Sequence, residues 1–81
     1  MARYYLHLRD GNDETLDPEG REFVDMDELK ETVVREARDV IGGDVKKGLV
    51  DLRYRIDAED ESGTILYSLP FAGAVSIVTE D

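Results

Sequence analysis

The chain has no cysteine, which excludes a disulfide framework, a thiolate metal site and a thiol nucleophile, and suits a reducing cytoplasm. Histidine occurs once, at His7, and a single histidine without cysteine rules out the usual zinc sites. Positive charge is scarce. Ten Lys and Arg stand against twenty Asp and Glu, a formal net charge of −10, so the field of the molecule repels phosphate and disfavours duplex nucleic acid and anionic membranes as partners. Long hydrophobic runs are missing too. The opening residues hold no apolar stretch of signal-peptide length, and the uncharged segment from Ser62 to Thr79 is broken by Pro70, Gly73 and several serines, so it reads as strand and loop, not a membrane span. With 81 residues there is room for one domain, 1–81, which buries only about 60 to 65 per cent of its unfolded surface. A deep, dry catalytic cavity is not expected in so small a core.

What the chain does contain is periodicity. Arg3 to Arg9 alternates, with Tyr4, Leu6 and Leu8 on one side and Tyr5, His7 and Arg9 on the other, the period of a half-buried strand. Asp10-Gly11-Asn12-Asp13 is turn chemistry, a short returning strand fits Glu14 to Asp17, and Asp17-Pro18-Glu19-Gly20 predicts a second reversal. Asp25 then caps a helix beginning at Met26, with Glu28 completing a capping box and Val24 placed to staple against Leu29. Leu29, Val33, Ala37, Val40 and Ile41 form its apolar stripe. Gly42-Gly43 either ends this helix or is overridden, in which case Val45 and Leu49 carry the stripe on to Gly48. Leu52 to Asp60 and Thr64 to Phe71 alternate again, joined by Asp60-Glu61-Ser62-Gly63, and the period of two predicts an even-numbered loop. Pro70 puts the last strand at an edge, with Phe71 to Val75 folding back over the core.

The expected fold is therefore α+β, an antiparallel sheet of three to four strands with one helix packed on one face, in the order ββαββ. Tyr4, Leu6, Leu8, Leu29, Val33, Ala37, Val40, Leu52, Tyr54, Ile56, Ile65, Tyr67, Leu69 and Phe71 are its expected core.

The opening Arg3-Tyr4-Tyr5-Leu6-His7-Leu8-Arg9-Asp10-Gly11, Asp17-x-x-Gly20, and Glu22-Phe23-Val24-Asp25 before the helix resemble a family of short alphaproteobacterial proteins of unknown function. The likeness continues through Ala37-Arg38-Asp39, Asp60-Glu61-x-Gly63 and the Leu69-Pro70-Phe71 ending with Ala74-Val75. Tyr5-Leu6 stands where that family carries Phe-Phe. The resemblance implies the ββαββ order and brings no catalytic residues. The strand, acidic turn and capped helix also resemble small ββαβ antitoxins, which would make the acidic Asp10 to Glu31 region, with its excess of eight negative charges, a cover for a basic partner. No helix-turn-helix follows.

Chemistry is sparse. His7 is the one group suited to acid–base work at neutral pH, which leaves a small enzyme using His7 as one reading and a histidine stacked on Tyr5 as the plainer one. Asp10-x-Asn12-x-Glu14 is similar to the start of a calcium loop, but Thr15 stands in place of its glycine and Arg21 in place of its bidentate glutamate. The glycines lack the order of a phosphate-cradling loop, so no metal and no cofactor is implied. A sheet with one helix keeps one face open, and an open face or edge points to a binding module, for a protein partner or a second copy. If the first and third long strands lie side by side, that face gathers Tyr5, His7, Arg9, Arg53 and Arg55, with Arg3, as a candidate small-anion surface. Asp57 and Glu59 share the face and are the competing partners for its arginines.

Overall fold

The computed structural model describes residues 1–79. It is an α+β fold in the expected order, with the second strand split in two. The strands are β1 (Ala2–Arg9), β2 (Glu14–Thr15) and β3 (Arg21–Phe23), then, after the helix α1 (Met26–Lys47), β4 (Arg55–Glu59) and β5 (Ile65–Pro70), closed by one 3₁₀ turn (Phe71–Gly73). All pairings are antiparallel, and the sheet order is β2-β1-β4-β5 with β3 paired to the first half of β1. The first strand of the chain is thus at the sheet centre. Among the described residues no helix is long and apolar enough to cross a membrane.

Helix α1 covers one face. Asp25 accepts the Glu28 amide at 2.9 Å, while the Glu28 carboxylate reaches back to the Val24 amide at 3.3 Å, one residue earlier than an ideal capping box. Leu29, Thr32, Val33, Ala37 and Ile41 are buried, because residues four apart fall on one side of a helix. Two expectations fail here. Val40 is 37% exposed, since it lies off that line of four on a flank the narrow sheet does not reach, and Val24 is exposed, so it makes no staple, while Phe23 beside it is buried. The helix runs through Gly42-Gly43 and stops at Gly48, whose φ of 88° is the left-handed conformation that favours glycine. There Gly48 and Leu49 donate to the carbonyls of Val45 and Asp44, a Schellman stop.

Leu6, Ile56, Ala58, Phe71 and Ala74 complete the core under α1. The 3₁₀ turn folds back as expected, with the Phe71 amide on the Tyr54 carbonyl at 2.9 Å and Arg38 donating to the Ala74 carbonyl at 2.9 Å. The β4–β5 loop departs from the parity expectation. Ala58 pairs with Tyr67 but Glu59 pairs with Ile65, so five residues separate the strands and a bulge at Leu66 absorbs the odd one. The bulge also turns Ile65 out of the core, leaving it 50% exposed.

That geometry blunts the β5 edge. Bonded and unbonded pairs alternate in an antiparallel ladder. Given the Phe71–Tyr54 bond, the backbone of Leu69 is the one turned toward Ile56, and the backbone polar groups of Ser68 and Pro70 point away from β4. Pro70 has no N–H to offer there, and the bulge interrupts the other end. On the opposite side of the sheet, β2 and β3 are two and three residues long, too short to template another strand.

Candidate functional site

The face of the sheet away from α1 is built by alternation. Odd-numbered residues of β1 turn outward, and the β1–β4 register sets Tyr5 opposite Glu59, His7 opposite Asp57 and Arg9 opposite Arg55. Two arginines directly across from each other repel. Asp57 resolves this by bridging them, taking Arg9 Nη1 at 3.0 Å and Arg55 Nε at 3.1 Å. The Ser68 hydroxyl, opposite Asp57 on β5, donates to the same carboxylate at 2.6 Å. Arg9 also binds Glu59 at 2.7 Å and Glu14 of β2 at 2.9 Å.

Asp57 is 1% exposed although no layer of backbone covers it; the side chains that bind it also shield it. Burial alone would push its carboxyl up, but the Ser68 hydroxyl, Arg9 and Arg55 outweigh burial and hold it below the ordinary aspartate range. Arg9 is raised further above its ordinary value by Glu14, Asp57 and Glu59. Every donor of Arg9 with a partner in this network thus points at a carboxylate of the same chain.

A second cluster sits at the other half of β1. The His7 ring stacks on Tyr5, with centroids 6.4 Å apart and planes at 12°, and its Nδ1 accepts the Asp17 amide at 3.0 Å. Asp17 belongs to the Leu16–Gly20 loop between β2 and β3, where the edge of β1 away from β4 has no strand beside it. Its carboxylate substitutes for the missing strand, accepting the amides of Leu6 at 3.3 Å, Glu19 at 3.3 Å and Gly20 at 3.0 Å. Gly20 lies so close to the Tyr5 ring that a Cβ there would sit 2.9 Å from it. The Asp17-x-x-Gly20 motif is therefore the device that lays this loop against Tyr5.

The structure brings Tyr5, His7, Arg9 and Arg55 onto one face and leaves Arg53 out. Arg53 precedes β4, is 77% exposed, and forks onto Asp51, holding that carboxyl down at about 2. The alternation from Leu52 extended the strand too early; the chain is still turning there, with the Arg53 amide on Asp51. Ser68 and Glu14 were missed as members of the network. The period of two places Ser68 across from Asp57 only once the hairpin register is known. Next to Arg55 a hollow of about 420 Å³ is lined by Arg9, Gly11, Asn12, Asp13, Glu14 and Arg55. A larger trough, about 660 Å³, runs along the outer side of α1 between Lys30 and Asp39 and shares none of these groups. Among the described residues no group of three or more His, Asp or Glu is disposed to hold a metal.

The span from residue 3 to residue 72 matches the domain of unknown function DUF6894. The chain belongs to that family. The matched span runs from the second residue of β1 into the 3₁₀ turn, so the Asp57 network and the His7 cluster both lie within the DUF6894 domain. No curated protein and no solved structure matches the chain significantly.

Proposed function

We propose that this DUF6894 domain is a binding module of a reducing bacterial cytoplasm that engages a protein partner through its open sheet face. The observation that carries the reading is the Asp57 network. A carboxylate 1% exposed on an uncovered face fixes the rotamers of Arg9, Arg55 and Ser68 before any partner arrives, and side chains already ordered lose little entropy on docking. Both sheet edges are blunted, which leaves the face as the surface on offer and gives strand-to-strand self-association little support. An antitoxin-like role is the version of this reading in which the partner is basic and the net charge of −10 steers its approach. A small enzyme using His7 draws less support, since its Nδ1 is engaged by the Asp17 amide.

A photo-crosslinking residue at position 5, expressed in the native cell, tests this against the same residue at position 31 on the outer side of α1. Adducts with one protein from position 5 and none from position 31 are expected; equal labelling from both overturns the reading.

Small-anion binding is the second reading, supported by one observation: Arg55 lines the 420 Å³ hollow, and among the described residues its guanidinium bonds Asp57 through Nε alone. Against it, three carboxylates already match Arg9 and Arg55. Titration with phosphate or citrate at low and then physiological salt, followed by amide shifts, decides it. No perturbation at Tyr5, His7, Arg9, Arg53 or Arg55 at millimolar anion removes it.

A further inference from the structure

The contacts around His7 depend on where its proton is. An imidazole nitrogen accepts an N–H only when it carries no proton of its own. The Asp17 amide donates to Nδ1 at 3.0 Å, so the contact requires the neutral ring with its proton on Nε2. That nitrogen faces the Glu59 carboxylate of β4 at 3.8 Å. A second proton must go to Nδ1, where it meets the N–H of Asp17 head on.

We infer that His7 is a proton-operated latch on the Leu16–Gly20 loop: the neutral ring holds the loop against β1, and the imidazolium releases it. The charged groups on the elements packed against the ring are Glu59 and Asp57 of β4, the Asp17 carboxylate of the loop, and Arg9 on β1, which already binds Glu59 and Asp57. Tyr5 stacks on the ring. Protonation therefore strengthens the Nε2 contact with Glu59 and breaks the one with Asp17. The rest of the loop is held by few bonds: the Asp17 carboxylate on the Leu6 amide, Arg3 on the Glu19 carbonyl at 2.7 Å, and Gly20 packed on Tyr5. When it lifts, it bares the Tyr5 ring and a stretch of β1 edge with a free Leu6 N–H. His7 itself is 12% exposed at its side chain, so the proton reaches it without unfolding of the domain.

The latch belongs to the free domain and is tested without a partner, so its failure leaves the binding reading untouched. Long-range ¹H–¹⁵N correlation of the ring at neutral pH is expected to find the proton on Nε2. On acidification through the ring's titration, the Asp17 amide should move with the same midpoint. Protection factors at Asp17, Leu6 and Gly20, taken relative to the intrinsic exchange rate at each pH, should fall about tenfold while that of Ala58 holds. In His7→Asn, whose amide oxygen takes the place of Nδ1 and does not titrate, the Asp17 amide should be flat between about pH 5 and 8. A neutral ring protonated on Nδ1, or an Asp17 amide unmoved while the ring titrates, overturns the inference. The wild-type titration decides alone if His7→Asn fails to fold.

Discussion

A carboxylate with almost no exposure on an open sheet face is stable only because its partners arrive from three strands: Arg9 from β1, Arg55 beside it on β4 and Ser68 from β5. Its removal leaves two guanidiniums facing each other across the β1–β4 ladder. Asp57→Asn keeps the shape and loses the charge, and should cost about 1 to 3 kcal/mol at neutral pH by chemical denaturation. The pH dependence follows from the direction of the shift. Asp57 and Asp17 are both held below the ordinary aspartate range, Asp17 because the amides of Gly20, Leu6 and Glu19 outweigh the effect of its burial. A carboxylate with a depressed folded value contributes stability that is complete above its unfolded value, near ~3.9, and is lost as pH falls through the folded one. The gap between wild type and Asp57→Asn should therefore be widest at neutral pH and close below about pH 4. A gap that stays constant into acid would mean the Asp57 charge is not what the network uses.

Among the elements, α1 shows most plainly what the sequence can and cannot reveal. Its start was legible because a cap is local chemistry, written in Asp25 and Glu28. Its end was not, because two mid-helix glycines cost about 1 kcal/mol each, and only the Schellman stop at Gly48 shows that the chain accepts that cost. A Cβ at Gly42 or Gly43 would meet nothing within 4 Å. Gly42→Ala with Gly43→Ala should therefore stabilise the domain by about 1 to 2 kcal/mol; an unchanged or lower melting temperature would show that these glycines do something in the folded state that their surroundings conceal. The strands repeat the lesson. Alternation gave the two faces of β1 and the membership of Tyr5, His7, Arg9 and Arg55 in the open one, since period is an intrinsic property of a strand. It missed β3, three residues long, and the Leu66 bulge, and it carried Arg53 onto the face, because strand ends and bulges are set by pairing partners remote in sequence. The candidate site was thus legible as a set of residues, with Asp57 and Glu59 as competing partners for its arginines; the parts played by Glu14 and Ser68 and the bridging of Arg9 to Arg55 by Asp57 were not, because they required the register.

For the molecule as a whole, blunted edges and a surplus of negative charge are both features that oppose strand-to-strand association of copies. Wild type should scatter light as a monomer at low and high concentration. Pro70→Val, which restores an outward N–H on β5, should shift it toward dimer at high concentration; a wild type already dimeric when dilute would contradict the protective role of this edge. The order in which the sheet is threaded bears on something else, the route by which the domain reaches this state. Arg9 meets Asp57 and Glu59 across sequence separations of 48 and 50 residues, and β1 cannot complete its pairing until β4 exists. Closing so long a loop in a flexible chain costs entropy before any contact repays it, which slows folding. Helix α1 occupies nearly half of the intervening chain and shortens that part to a rod when it forms early. Changes at the Asp25 cap or at Gly42 and Gly43 are therefore expected to move a folding rate as well as a stability, and β1, whose pairing with β4 must wait for the rest of the chain, is the strand left longest with an open edge.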